Sequence, residues 1–435
     1  MTQNKTLRIV LRVATTLAQW LLAATFLFSG FVKALDPMGM EHKFEAYCNH
    51  LGWNIPAGSL YLDAAAVTLA LVEFTLGVYL LLGMRKRLTA IGTFLFMLVM
   101  TAMTVYIYLY SPVPDCGCFG DAIKFTPWQS FTKDIVLLVA ALIIFLLACA
   151  LLLLIAGQHS LRIISRHTQW LLSLFALVYM IGVALYSLHY LPLVDFTGYS
   201  LGTKIEEAMR GEEEMTFIYE KDGKQATFKM DNLPDSTWKY VRTDTKVIRA
   251  ATIKDFSFVD PRTEMEIGDE LLADTGNVFI ATIPNLAAAD AGCSDGLNDI
   301  YDYARDHRMR FLCATATTGK DVSRWIDRTG AAYPFVVSSA ETLEALVRSN
   351  PGLVLIRDGR IVAKWSNNNL PDEEELSHLD LSPDAQSDAA RRAFLKLFLW
   401  FVIPFGLLVL IDRLKLGHRY FKVYSHYKSQ KSTQS

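Results

Sequence analysis

Six stretches of about 18 or more mostly apolar residues constrain this chain most, because each is long enough to cross a bilayer as a helix. They run roughly over residues 10–35, 60–82, 90–110, 135–156, 170–191 and 394–411. The first is too long for a signal peptide and lacks a small-residue cleavage site, so it reads as a retained helix. Composition agrees: 52% of the 435 residues are hydrophobic and the formal net charge is −2. The expected partner is the lipid bilayer, with no nucleic acid. The basic tail, with Tyr420, Phe421, Tyr424 and Tyr427 interleaved, reads as a membrane-surface segment.

Basic residues orient the helices. Lys5, Arg8 and Arg12 precede the first span, Arg85, Lys86 and Arg87 join the second to the third, and Arg162 and Arg166 join the fourth to the fifth. Arg413, Lys415, Arg419, Lys422, Lys428 and Lys431 follow the sixth, whereas the opposite short loops hold only Lys43 and Lys124. The positive-inside rule then predicts both termini in the cytoplasm. The chain is expected in a bacterial inner membrane, with the loop at 112–121 and the long segment 192–392 facing the periplasm.

That orientation puts Cys48, Cys116, Cys118, Cys293 and Cys313 on the disulfide-permissive side. Five thiols cannot all pair within one chain. Cys149, inside the fourth span, reads as a small apolar residue. Cys116 and Cys118 flank Gly117, and thiols one residue apart close a small, strained and labile ring. Two further readings stay open: a structural disulfide pinning the loop, and two unpaired loop thiols. Asp115 and Asp121 would raise the thiol pKa values, which disfavours a strongly nucleophilic thiolate. Two thiolates with no third or fourth clustered ligand make a poor zinc or iron–sulfur site, and a Cys-His copper or zinc arrangement with His42 or His50 is only a weak alternative, so no metal site is assigned.

Cys48 is a candidate shuttle thiol or an apolar contact at the interface. Glu73 lies deep in the second span, where an ionisable group is costly and points to proton handling, or to a hydrogen-bonded packing role. Lys33, near the outward end of the first span, reads as a snorkelling anchor. Segment 36–56 suits an interfacial amphipathic helix over the bundle mouth.

Between 203 and 260 the pattern is strand-like, with a hairpin at Lys221-Asp222-Gly223-Lys224. From 259 to 365 strands and helices alternate: 277–284 strand, 296–307 helix, 310–315 strand, 322–329 helix, 335–337 extended, 341–347 helix. Strands 353–357 and 361–364 then form a hairpin around Asp358-Gly359. Residues 371–386 read as an acidic linker. Cys293 falls near the start of the 296–307 helix, where the helix dipole lowers a thiol's pKa, or else in an ordinary loop. Cys313 sits mid-strand and reads as core.

Phe28-Ser29-Gly30 with Lys33 and Asp36-Pro37, Glu73 with Gly77 and Gly83, and Cys116-Gly117-Cys118-Phe119-Gly120 together resemble the DoxX/MauE-like membrane proteins over about a third of the chain. The soluble region resembles a thioredoxin-like domain in its order of elements and in Asn350-Pro351-Gly352 before a strand, where that family keeps a cis-proline. It departs from the family in having no Cys-x-x-Cys after the first strand. The whole resembles the Bacteroidetes-type long form of such proteins.

The resemblance implies a membrane α-helical bundle of six transmembrane helices, the first four DoxX/MauE-like, with an inserted α/β thioredoxin-like soluble domain. The expected segments are a four-helix membrane domain (1–157), a fifth helix (158–192), a β-rich connector (193–258) and the thioredoxin-like domain (259–370). A linker (371–393), the sixth helix (394–412) and a cytoplasmic tail (413–435) complete the chain. The implied activity is thiol–disulfide exchange or electron transfer by Cys116 and Cys118, with Cys293 relaying, Glu73 handling protons, and a periplasmic client protein or thiol partner. Quinone is a candidate electron sink, without a visible motif. The alternative is a redox-silent, membrane-anchored assembly or client-binding module.

Overall fold

Segments that cross hydrocarbon must satisfy their own backbone groups, and the apolar stretches do so as helices. In this computed structural model they are α1 (Thr2–Leu35), α3 (Leu60–Leu82), α4 (Lys86–Tyr110), α5 (Pro127–Leu154), α6 (Arg166–His189) and α13 (Pro383–Ser432), with a shorter α2 (Pro37–His50) after α1. The structure describes all residues except 1, 54, 57, 112–116, 155–164, 222–223, 230–232, 235–236, 250, 379–382 and 433–435. Among the described residues, six helices are long and apolar enough to cross a membrane. The chain divides into two units, Met1–Val194 with Ala390–Ser435, and Asp195–Ala389.

In the first unit α1 and α3 pack backbone to backbone. A Cβ at Gly30 would lie 2.6 Å from the Phe74 amide nitrogen, and one at Gly77 would lie 2.8 Å from that of Leu27. Small residues permit such close approach where lipid offers helices little hydrophobic drive to associate. Leu22, Ala23 and Phe26 of α1 form a core with Leu80, Met97, Leu137, Ala140 and Ala141. Phe401 of α13 meets Phe74 at 5.4 Å and Phe175 of α6 at 5.7 Å between ring centroids. Asp412 accepts from the Ser165 N–H at 3.0 Å and the Thr168 hydroxyl at 2.6 Å, tying α13 to the start of α6. Leu17, Trp20, Leu146 and Trp400 remain exposed, the apolar surface that a bilayer covers.

The second unit begins with α7 (Ile205–Arg210) and an antiparallel sheet of β1 (Glu212–Lys221), β2 (Lys224–Lys229) and β3 (Lys239–Arg249) in the order β2-β1-β3. After it come α8 (Gly268–Ala273), β4 (Asn277–Ile283), α9 (Ser294–Asp306), β5 (Arg310–Thr315), α10 (Lys320–Thr329), β6 (Phe335–Val337), α11 (Ala340–Leu346), β7 (Gly352–Arg357), β8 (Arg360–Ser366) and α12 (Glu373–Ser377). These strands make one sheet in the order β6-β5-β4-β7-β8. β4 is parallel to β5 and antiparallel to β7, with Ala281 opposite both Cys313 and Leu353.

Phe279, Ala281 and Ile283 alternate along β4 and pack against Leu297, Ile300 and Ala304 of α9 and Trp325 of α10. Both sheet edges are covered, which guards against edge-to-edge pairing. Gly202 and Thr203 exchange backbone hydrogen bonds with Ile361 of β8, and Val259 exchanges two with Val337 of β6. Asp358 and Gly359, at φ 50° and 63°, supply the left-handed pair that a two-residue hairpin turn favours. The Asn350–Pro351 peptide bond is cis. The acidic stretch read as a linker contains α12 and the first turn of α13, since Asp372 caps α12 by accepting from the Glu375 N–H at 2.8 Å.

Candidate functional site

Ser29 and Lys33 lie four residues apart on α1 and therefore share a face. Because Gly30 lets α3 approach so closely, that face meets Glu73. Lys33 Nζ donates to Glu73 Oε2 at 2.7 Å, to Ser29 Oγ at 2.7 Å and to the Cys118 carbonyl oxygen at 2.6 Å. An ammonium has three protons, and all three are used here. Ser29 Oγ itself lies 2.6 Å from Glu73 Oε2 and 2.5 Å from the Cys118 oxygen. The Lys33 and Glu73 side chains are 0% and 5% exposed. This corrects the reading of Lys33 as a snorkelling anchor, because its charge is compensated inside the bundle. Such a pair is tolerable at depth only when geometry and additional hydrogen bonds offset the desolvation of both charges.

The loop above the pair is fixed by other cations. Lys43 of α2 donates to the Gly120 oxygen at 3.2 Å and to Asp121 at 3.1 Å. Gly117, at φ +63°, is required: a Cβ there would lie 2.5 Å from Lys43 Cδ. The Cys118 side chain is half-buried and packs against the cluster of Tyr47 and Ile107. Lys133 Nζ of α5 sits 4.7 Å from the Phe119 ring centroid and 3.1 Å from Asp134 of the same helix. Cys116 lies outside the described residues. Cys48 is half-buried in α2, next to the Tyr47 that packs with Cys118.

Nearby, buried Glu41 of α2 accepts from the Gly58 N–H and shares a hydrogen bond with Asp63. Burial first, then the charge of Asp63, pushes its carboxyl up to about 8.

In the second unit Cys293 closes a short 3-10 turn and is the N-cap of α9. Its thiol donates to the Asp290 carbonyl at 3.3 Å. Burial, followed by the negative charge of Asp290, pushes it up to about 11, so the helix terminus does not prevail over desolvation here. Cys313 is fully buried in β5, and burial raises its thiol further. Asp195 is held below the ordinary carboxylate range despite burial, because Lys364 lies 2.6 Å away and Thr197 donates twice. Among the described residues no group of His, Cys, Asp and Glu is arranged to hold a metal ion.

These features define a multi-pass membrane protein with a buried acid–base cluster against a cysteine-bearing loop, and a separate sheet-containing region. Residues 11–153 match the family described as Methylamine utilisation protein MauE, so that helical stretch is MauE-like. Residues 213–250, which include most of β1 and all of β2 and β3, match a domain of unknown function, DUF8463. No curated protein matches the chain.

Sequence reasoning singled out Glu73 but missed that Lys33 is its partner. The signal was present, since Ser29 and Lys33 are spaced four apart beside Gly30. Asp134 and Glu41 were missed as well. Each lies close to a span end, where a carboxylate looks like an ordinary solvated group.

Proposed function

We propose that this protein carries out thiol–disulfide exchange at the periplasmic face of a bacterial inner membrane, with Cys116 and Cys118 as the cycling pair. The observation that carries the reading is the hydrogen bonding of the buried Lys33–Glu73 pair to the Cys118 carbonyl. Exchange begins when a client thiolate attacks one sulfur of the loop disulfide, giving a mixed disulfide and a loop thiolate. The second client thiol resolves it, so the client gains one disulfide while the loop gains two electrons and two protons. A disulfide or quinone-class acceptor must then reoxidise the loop. Glu73 is the group we assign to proton handling, since a carboxylate bonded to an ammonium inside the bundle can pass a proton without crossing bulk water.

The second unit is assigned the thioredoxin-like fold, on the support of its parallel β4–β5 pair and its antiparallel β7–β8 hairpin. Its role is client binding rather than exchange, because its half-buried Cys293 is a poor thiolate. The MauE name points to an accessory role in methylamine utilisation, but the exchange chemistry itself needs no methylamine.

The test is thiol trapping of the full chain in intact cells across a redox titration. Reversible interconversion of dithiol and disulfide at Cys116 and Cys118 supports the reading. A pair that stays oxidised under strong reductant makes the loop structural, leaving a redox-silent, membrane-anchored binding module.

A further inference from the structure

Asp134 of α5 is 2% exposed. One carboxylate oxygen pairs with Lys133 at 3.1 Å, while the other, Oδ2, meets no hydrogen-bond donor among the described residues. Leaving a buried carboxylate oxygen unsatisfied is costly, so such an atom calls for a ligand. Asp134 lines a cavity of about 20 Å³ whose wall also includes Ser29, Glu73, Cys118 and Met97. A water needs about 10–15 Å³ and two to four polar partners. The cavity has room for one, and its wall supplies a free carboxylate oxygen, a second carboxylate and a hydroxyl.

We propose that this cavity is a water site, and that its water joins Asp134 to the Lys33–Glu73 pair. Asp134 is then a positioning residue of the same centre, lining the cavity wall together with Cys118 and Phe119. The consequence for proton handling rests on the exchange reading, but the water site does not. Each reduction of the loop disulfide by a client dithiol moves two electrons and two protons onto the loop sulfurs, and reoxidation by a disulfide or quinone-class acceptor passes both on to the acceptor. Two carboxylates joined by a water line the cavity beside Cys118, where those protons are exchanged.

The test is X-ray hydroxyl-radical labelling of the full-length chain in lipid nanodiscs, because radicals formed from a bound water oxidise the side chains beside it. Met97 lines the cavity and is 2% exposed, whereas Met84 and Met180 are each 1% exposed and lie away from it. Met97 is expected to oxidise several-fold faster than Met84 and Met180 in the wild type and in Asp134→Asn, and at their rate in Asp134→Leu, whose side chain displaces the water. Equal rates for all three methionines in the wild type overturn the proposal, whether or not the leucine variant folds. Fast labelling of Met97 in a folded Asp134→Leu protein overturns the role of Asp134. The same contrast measured in the Cys116→Ser/Cys118→Ser double variant separates the water site from the exchange reading, since that protein has no loop thiols to cycle.

Discussion

Lys33 and Glu73 form a 2.7 Å ion pair between α1 and α3, and the ammonium of that pair also binds the Cys118 carbonyl. The helix contact at Gly30, the buried charges and the cysteine loop are therefore one mechanical unit. A change at any of them reaches the others.

Removing one member of the pair strands the other's charge in the bundle. Glu73→Leu or Lys33→Met alone is expected to cost about 3–5 kcal/mol, as for other broken buried pairs, while the double variant should recover much of the loss. Unfolding in bicelles of the wild type, both singles and the double closes the cycle. Additive costs would mean that the two groups do not act as a pair.

Gly117 carries two demands at once. Gly117→Ala pays about 1–2 kcal/mol for a left-handed backbone, and its Cβ also displaces Lys43 from Gly120 and Asp121. Gly52→Ala, at φ +81° with open space around it, pays only the backbone cost. The Gly117 variant should therefore lower Tm more than the Gly52 variant and speed alkylation of Cys118. Equal losses would remove Lys43 as the clamp of the loop.

Glu41 makes the first unit pH-sensitive. Its folded carboxyl titrates near 8, against an ordinary value of 4.5. The neutral form is the one that fits, so its contribution is fully present below about 4.5 and is lost as pH rises through about 8. Thermal unfolding of the wild type should show Tm falling over that window. Glu41→Gln, which keeps a neutral side chain of similar shape, should flatten the slope. An unchanged slope in the variant would assign the pH response to other groups.

Cys293 is expected to alkylate slowly near neutral pH, with a rate that climbs toward pH 11. Asp290→Asn removes the nearby negative charge and should shift that profile to lower pH. Rapid iodoacetamide labelling at pH 7 in the wild type would restore Cys293 as a reactive relay.

The spans and the alternating region were legible because hydropathy and periodicity are local properties. The pattern of Arg310–Thr315 and of Phe335–Val337 matched β5 and β6 residue for residue. Polar composition misled at residues 371–386, where Asp372 and Pro383 begin helices that an acidic run does not advertise. The cysteine loop and Glu73 stood out, one by its spacing and the other as a lone charge among apolar residues. The spacing of Ser29 and Lys33 beside Gly30 marked one face of α1, but that this face meets Glu73 was not legible, because the contact joins positions forty residues apart and depends on how closely α1 and α3 approach. Cys293 shows the same limit from another side: helix position suggested activation, whereas burial and Asp290 set the pKa.

The central claim is that Cys116 and Cys118 cycle, and trapping of mixed disulfides tests it most directly. Cys116→Ser and Cys118→Ser, expressed singly in the full chain and quenched with acid, should each accumulate a mixed disulfide with a client protein. The Cys116→Ser/Cys118→Ser double variant should trap nothing and lose exchange activity. Full activity in both single variants, with no mixed disulfide in either, would contradict the account and leave the loop as a structural pin.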